Sequence, residues 1–295
     1  MSTPSLSVPF MRQAERLQLG RYHWRSGRRS AIVGIILAIL MLGMATVGPS
    51  LYPVSPDAQH LTERLHPPVG FGGTWDNPLG TDALGRNILA RVIAGARVSL
   101  AIGILAVLTA GIVGSVLGII GGSRSKLAAA VVTWLTDLQA VLPFIVVAIA
   151  SAAVLGQGIL NVLVILIVTG WVVFARVIRL QTKVLQRSGF VEASRAMGSS
   201  SWWRATHHLL PGLTPALVVL LTQQLAAMIL YEGALTFLGL GVGPRYITWG
   251  GMASDGLEAS LRAPWVVIIP GLAIGISALS ANLIGDSIQT AGAGR

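Results

Sequence analysis

Six long apolar runs, separated by polar segments, dominate the pattern of the chain. They cover approximately residues 31–47, 98–120, 128–155, 159–178, 213–237 and 263–284. Each run is close to the ~20 residues that an α-helix needs to cross a bilayer. Only helices and closed barrels satisfy their backbone in lipid, and nothing in the pattern indicates a barrel. The pattern therefore predicts an all-α membrane protein with six transmembrane helices.

The polar segments between the runs predict the organisation of the chain. We expect a basic cytoplasmic segment at 1–29, a first transmembrane helix at 30–52 and an extracytoplasmic loop at 53–96. A core of five further helices follows at 97–287, with a cytoplasmic loop at 190–212 and a cytoplasmic tail at 288–295. A cleaved signal peptide is the alternative for the first run, but its apolar core would span only about 7–15 residues.

Composition and charge agree with this topology. The 295 residues are 53% hydrophobic and 11% charged, whereas soluble domains carry about 25% charged residues. Most of the 21 Lys and Arg residues fall in the segments that an inner N-terminus places in the cytoplasm, as the orientation rule demands. The net charge of +10 is thus explained without nucleic acid. Cysteine is absent, which excludes disulfides and thiolate metal sites.

Small residues recur every fourth position in two of the runs. In lipid such stripes let helix backbones approach closely, so they predict packing faces. The stripe of the second run comprises Ala106, Ala110, Gly114, Gly118 and Gly122, and that of the sixth run comprises Ala273, Ser277, Ala281 and Gly285. Pro143 predicts a kink in the third run.

The polar stretch from Glu192 to Pro211 lies between two apolar runs. Good helix formers follow Glu192, and Gly198 suits the left-handed residue that closes a helix. Pro211 is typical of a helix start. The stretch therefore predicts a short helix and a turn at the membrane surface; an ordinary basic cytoplasmic loop is the alternative.

Three sequence blocks resemble permease subunits of ABC importers. The cytoplasmic loop carries the pattern Glu192-Ala193-Ser194, then Gly198, then His208-Leu209-Leu210-Pro211, which is similar to the dipeptide/oligopeptide/nickel branch, with Ser194 in place of a second Ala. The other two blocks lie at 77–100, where Asn87 replaces a common Asp, and at 232–250. The resemblance implies the type I importer permease fold with both termini in the cytoplasm.

The resemblance also implies how such a subunit works. In that family the loop forms a coupling helix that docks into the ATPase, which assigns ATPase coupling to Glu192, Ala193, Ser194, Gly198, His208, Leu210 and Pro211. The implied partners are a sister permease, two ABC ATPase subunits or domains and an extracytoplasmic substrate-binding protein, all at the cell membrane. The implied cargo is di- or oligopeptides, with nickel complexes or glutathione as alternatives.

No catalytic or cofactor motif occurs in the sequence. There is no GxxxxGK[ST] phosphate loop, no His/Cys cluster with metal-ligand spacing and no GxSxG elbow. We therefore expect a transport subunit that is no enzyme and holds no cofactor, with ATP and Mg on the partner ATPases.

Two carboxylates lie within the predicted spans. Asp137 pairs with a basic residue or acts in transport, and Glu232 hydrogen-bonds the following outer loop or lines the pathway. An ion-coupled secondary carrier, which would use such residues, is the alternative function, but no inverted repeat is visible. Trp202 and Trp203 fit either a membrane-interface belt or an ATPase contact.

Overall fold

The computed structural model describes residues 29–293, with side chains to residue 290. Residues 1–28 of the predicted basic segment at 1–29 and the last two residues of the tail lie outside this range. The described residues form helices and no strand. In chain order the α-helices are α1 Arg29–Thr46, α2 Gly48–Leu51, α3 Ile88–Gly121, α4 Lys126–Val141, α5 Phe144–Leu155, α6 Ile159–Leu185, α7 Gly189–Ala196, α8 Ser201–Arg204, α9 Leu210–Phe237, α10 Trp249–Asp255 and α11 Trp265–Ala293.

The prediction of an all-α membrane protein is confirmed. Five helical segments of the described chain are long and apolar enough to cross a membrane, and the bent pair α4–α5 brings the number to six. The fifth segment is the continuous helix Ser201–Phe237, which joins α8, a π-helical turn at Ala205–Leu209 and α9. The loops between these spans add short 3-10 turns at Leu61–Glu63 and Leu257–Ala259.

The first small-residue stripe packs α3 against α6, as predicted. A Cβ added at Gly114 would meet the carbonyl oxygen of Trp171 and lie 2.6 Å from Phe174 Cβ. A Cβ at Gly118 would lie 2.8 Å from Ile178 Cβ. Real carbon atoms keep about 3.5–4.0 Å apart, so these backbones can approach only because the side chains are missing.

The second stripe packs α11 against α9. Ala278 and Ala281 are buried together with Ala226 of α9, and a Cβ at Gly285 would lie 2.7 Å from Thr222 Oγ1. The peripheral helix α1 joins this pair through Ser280, whose hydroxyl donates to the Gly34 carbonyl at 2.9 Å.

The third span is broken rather than kinked. Helices α4 and α5 meet at an angle of 89° around Leu142 and Pro143. Proline cannot donate the hydrogen bond that would continue α4, and it caps α5, where the Val146 and Val147 amides donate to its carbonyl. The two helices bury only Val132, Thr136 and Ala148 within the subunit.

Helix α3 begins at Ile88, within the segment assigned to the extracytoplasmic loop at 53–96, so the end of this segment is helical. The cap is Asn87, whose Oδ1 accepts from the Ala90 amide at 3.0 Å. Its amide donates to Tyr52 Oη at 2.9 Å and to Asn77 Oδ1 at 2.9 Å. An aspartate could not donate these bonds, so the amide at this position has a structural reason.

Helix α10 was not predicted. It lies in the segment assigned to the last outer loop and inserts between α3, α9 and α11. Trp249 at its start is fully buried, and its Nε1 donates to the Val92 carbonyl at 3.0 Å. Position 250 requires glycine, because a Cβ there would meet the Gly233 carbonyl oxygen. The outer end of the bundle is therefore filled by protein.

Candidate functional site

The helix α7 lies on the inner side of the bundle and rests on its own subunit by one face. Val191 and Ser194 on that face are buried, while Glu192, Ala193 and Met197 are exposed. The short helix predicted in this stretch is thus present, and it begins at Gly189, three residues earlier than Glu192. Its outward face is free to receive another protein.

The turn after α7 depends on a left-handed glycine, as predicted. Gly198 has a φ of +83°, and its amide donates to the Arg195 carbonyl at 2.9 Å. Nothing lies within 4 Å of a Cβ added there, so backbone conformation alone requires glycine. The Ser194 and Ser199 hydroxyls lie 2.8 Å apart and close the turn. The serine that replaces alanine in the loop pattern therefore forms a bond that sequence reasoning missed.

Glu192 pairs with Arg124 of the turn between α3 and α4. The Arg124 Nη2 atom lies 3.3 Å from Glu192 Oε1, and both side chains are about half exposed. Such an exposed pair adds at most about 1 kcal/mol of stability. Its importance is geometric, because it connects α7 to the inner ends of two membrane helices. The separation of 68 residues hid this partner from sequence reasoning.

Pro211 lies in the first turn of α9, as predicted, but no break precedes this helix. The chain enters α9 through the π-helical turn, where the Leu210 amide donates to the Ala205 carbonyl five residues earlier. A wider turn accommodates the proline ring and its missing donor. The turn also carries His207 and His208, and Leu210 beyond it is partly exposed.

Trp203 packs on two histidines and is 43% exposed, whereas Trp202 points outward. The Trp203 ring stacks on His207 with centroids 4.7 Å apart and meets His208 edge-on at 5.0 Å. Trp202 is 78% exposed and Met197 is 82% exposed. Two large apolar side chains therefore stand on the surface next to α7, as at protein docking sites.

Asp137 forms an ion pair with Arg176 of α6. Its Oδ1 lies 3.2 Å from Arg176 Nη2, which also donates to the Thr136 carbonyl at 3.1 Å. Arg179 donates to the Thr133 hydroxyl one turn further on. The basic end of α6 thus fixes α4, and the geometry favours a pairing role for Asp137.

Glu232 is fully buried between α9 and its neighbours. The Thr236 hydroxyl donates to its Oε1 at 3.0 Å, and its Oε2 has no hydrogen-bond partner among the described residues. The neighbouring Ser99 hydroxyl of α3 accepts from the Trp249 amide at 3.3 Å. Glu232 therefore lies where α3, α9 and α10 meet, and its burial and its bond to Thr236 favour a structural role over a pathway role.

An ion cluster at the outer end joins the loop before α3 to α10, and sequence reasoning did not find it. Asp82 accepts from Arg86 Nε at 2.6 Å, and Asp255 of α10 lies 3.4 Å from Arg86 and 3.6 Å from Arg91. Arg91 is buried, and the cluster borders two cavities of about 280 Å³ each. Among the described residues, no cluster of three or more His, Cys, Asp and Glu residues could hold a metal ion.

Comparisons with known proteins agree with this architecture. The family described as binding-protein-dependent transport system inner membrane component matches residues 114–293, and the N-terminal TM domain of oligopeptide transport permease C matches residues 26–68. The chain is 32% identical to the glutathione transport system permease protein GsiD of Pectobacterium atrosepticum over 97% of this chain and 94% of the relative. It is 34% identical to the di/tripeptide transport system permease protein DppC of Pseudomonas aeruginosa, over 91% of this chain and 89% of the relative.

The fold matches a solved importer. A chain of the MetNI methionine ABC transporter in inward-facing conformations superposes with a TM-score of 0.54 over 68% of this chain and 97% of that chain, at 19% identity. The fold is therefore that of a type I ABC importer permease.

These findings define a multi-pass transport subunit of the cell membrane. The chain belongs to the family of binding-protein-dependent transport system inner membrane components. This assignment does not favour the ion-coupled carrier.

Proposed function

We propose that this chain is one of two permease subunits of an ATP-driven importer of di- or oligopeptides. The family assignment and relatives named as peptide permeases support the cargo. Its partners are a sister permease, two ABC ATPase subunits or domains, which bind ATP and Mg, and an extracytoplasmic binding protein that delivers the peptide. This chain itself holds no cofactor and catalyses no reaction.

The placement of α7 is the single observation that supports the mechanism best. One face of α7 is buried on the subunit, the other carries Glu192 and Met197 outward, and Trp202 extends the exposed apolar surface. ATP binding closes the ATPases and pushes α7. Because α7 contacts the turn between α3 and α4 through Arg124, the push reaches the spans packed on α3. Transmission of this kind requires an element with two arrangements that both ends bias.

The backbone at Gly198 gives the sharpest test of α7 as the coupling element. Gly198→Ala forces an L-residue into the left-handed region, at a cost of about 1–2 kcal/mol. Gly239→Ala is the matched control, because Gly239 closes α9 with a φ of +78° and open space around it but lies at the outer end. The assay is peptide uptake and ATP hydrolysis by the complete importer in proteoliposomes. We expect Gly198→Ala to lower peptide uptake per ATP severalfold and Gly239→Ala to leave the ratio unchanged.

A charge swap separates two roles of Glu192. Glu192→Arg breaks the Arg124 pair and also any contact with the ATPase. Adding Arg124→Glu restores the internal pair in reverse. Uptake that stays low in the double variant indicates an ATPase contact, and recovered uptake indicates that Glu192 serves only the internal pair. Normal coupled uptake in Gly198→Ala and Glu192→Arg alike would rule out α7 as the coupling element.

The cargo requires its own measurement. The parent importer is offered labelled dialanine, a longer alanine peptide and glutathione in separate uptake reactions. Each reaction is run with and without ATP. We expect ATP-dependent uptake of at least one of the two alanine peptides. Uptake of glutathione alone would contradict the proposed cargo while leaving the importer mechanism intact.

A further inference from the structure

One face of α9 carries polar side chains at membrane depth. Gln224 and Tyr231 are seven residues apart and thus on the same side of the helix. At 1.5 Å per residue, Tyr231 lies ~9 Å and Gln224 ~20 Å below the outer end at Phe237. Both positions fall within the ~30 Å hydrocarbon core of a bilayer. Ala227 and Ala234 on the same face leave space around them.

These polar groups have no hydrogen-bond partner among the described side chains and backbone of residues 29–290. Neither the Gln224 amide nor the Tyr231 hydroxyl forms a hydrogen bond there, although Tyr231 is 43% exposed. A polar group facing hydrocarbon cannot replace the hydrogen bonds that water gives it. Lipid tails are therefore a poor neighbour for this face, and water or a polar molecule is a good one.

The break between α4 and α5 lies beside the same face. The Phe144 ring, just after the break, stacks on the Tyr231 ring with centroids 4.6 Å apart and an interplanar angle of 27°. Helix α4 rises ~24 Å from Lys126 to Val141, so the interrupted backbone is also at membrane depth. Non-helical backbone at that depth occurs only where it is buried in protein or faces water. Side chains at the break are exposed, Val141 to 78% and Leu142 to 46%.

We propose that Gln224, Tyr231 and Phe144 line a water-filled passage and contact the peptide during its transport. This inference rests on the proposed function and adds the residues that meet the cargo. A glutamine amide and a phenol each donate and accept hydrogen bonds, as peptide groups do. Aromatic faces accept apolar side chains and ammonium groups. None of the three side chains is charged, which suits peptides of differing sequence and charge.

Cysteine accessibility tests the passage directly, because the parent chain contains no cysteine. Gln224→Cys and Tyr231→Cys are compared with Leu230→Cys, whose parent side chain is 47% exposed, close to the 43% of Tyr231, and adjoins Tyr231 in the sequence. Each variant is assembled into the complete importer in proteoliposomes and treated with a charged, membrane-impermeant methanethiosulfonate. We expect both passage positions to react at least about tenfold faster than Leu230→Cys, since only thiols in water reach the charged reagent.

Two outcomes would overturn the passage. Equally slow reaction at all three positions would mean that the sister permease or lipid covers the face with Gln224 and Tyr231. Equally fast reaction would mean that water reaches this face no better than it reaches Leu230. If one variant fails to assemble, the other decides. The proposed function is judged separately, by ATP-driven peptide uptake of the parent importer, so either idea can fail alone.

Contact with cargo has a second readout. Gln224→Leu keeps the approximate volume but removes hydrogen bonding, and losing one such bond changes affinity by up to about tenfold. We expect the KM for the best transported alanine peptide to rise severalfold, while the amount of assembled importer stays that of the parent. An unchanged KM would remove Gln224 from the peptide contact.

Discussion

The contact between α3 and α6 predicts a large effect from one added methyl group. In Gly114→Ala the new Cβ would lie 2.6 Å from Phe174 Cβ and 3.1 Å from the Ala175 amide nitrogen, and closer still to the Trp171 carbonyl oxygen. The shortfall against an ordinary carbon contact is about 1 Å. Two of the three opposing atoms are backbone and cannot rotate away. Overpacking of this kind costs about 1–3 kcal/mol.

A second helical glycine gives the control for this substitution. Nothing lies within 4 Å of a Cβ added at Gly275 of α11, so Gly275→Ala should stabilise its helix by about 0.5–1 kcal/mol. Thermal unfolding of the purified importer measures both variants. We expect Gly114→Ala to melt several degrees below the parent and Gly275→Ala at or slightly above it. Equal melting of the two variants would refute the assignment of the stripe to this helix contact.

Three further substitutions test other contacts. Asn87→Asp removes the donors to Tyr52 and Asn77, so we expect thermal unfolding to show a loss of about 1–3 kcal/mol, whereas a stable variant would mean that water replaces those bonds. Glu232→Gln keeps the volume and an acceptor for Thr236 and should melt near the parent, while Glu232→Ala leaves a cavity and should melt clearly lower. Equal melting of the two Glu232 variants would contradict the structural role. Trp249→Phe loses the bond to Val92 and part of the buried ring, so it should cost more than the ~0.5–1.5 kcal/mol of the bond alone; an effect on peptide uptake without any on stability would instead give α10 a role in transport.

The spans could be predicted because the membrane leaves the chain few choices. Apolar length and small-residue spacing identify both the helices and the faces that pack, as Gly114 and Gly285 show. The start of α3 was missed because Arg91 resembles a loop residue when only the residues next to it in the sequence are considered. Its partner Asp255 comes from α10, 164 positions further along the sequence. Such long-range pairs leave no local pattern, and α10 itself is too short to produce one.

Two prolines show where local rules stop. Pro143 and Pro211 both stand in or beside apolar runs, yet the chain breaks by 89° at the first and continues through a π-helical turn at the second. Which outcome occurs depends on what packs around each turn. The inner site could likewise be predicted only in part. Its helix and the Gly198 turn follow from residue preferences, whereas the bonds of Ser194 and Glu192 can be seen only in the folded chain.

The sparse burial of α4 and α5 has a consequence for how the cell handles this subunit. A copy inserted without its sister would present interrupted backbone and the unpaired Gln224 amide to lipid, which is an unstable arrangement. We expect membrane proteases to remove such orphan copies quickly. The amount of this subunit in the cell would then follow the supply of its sister, and assembly would set the stoichiometry without separate regulation of synthesis.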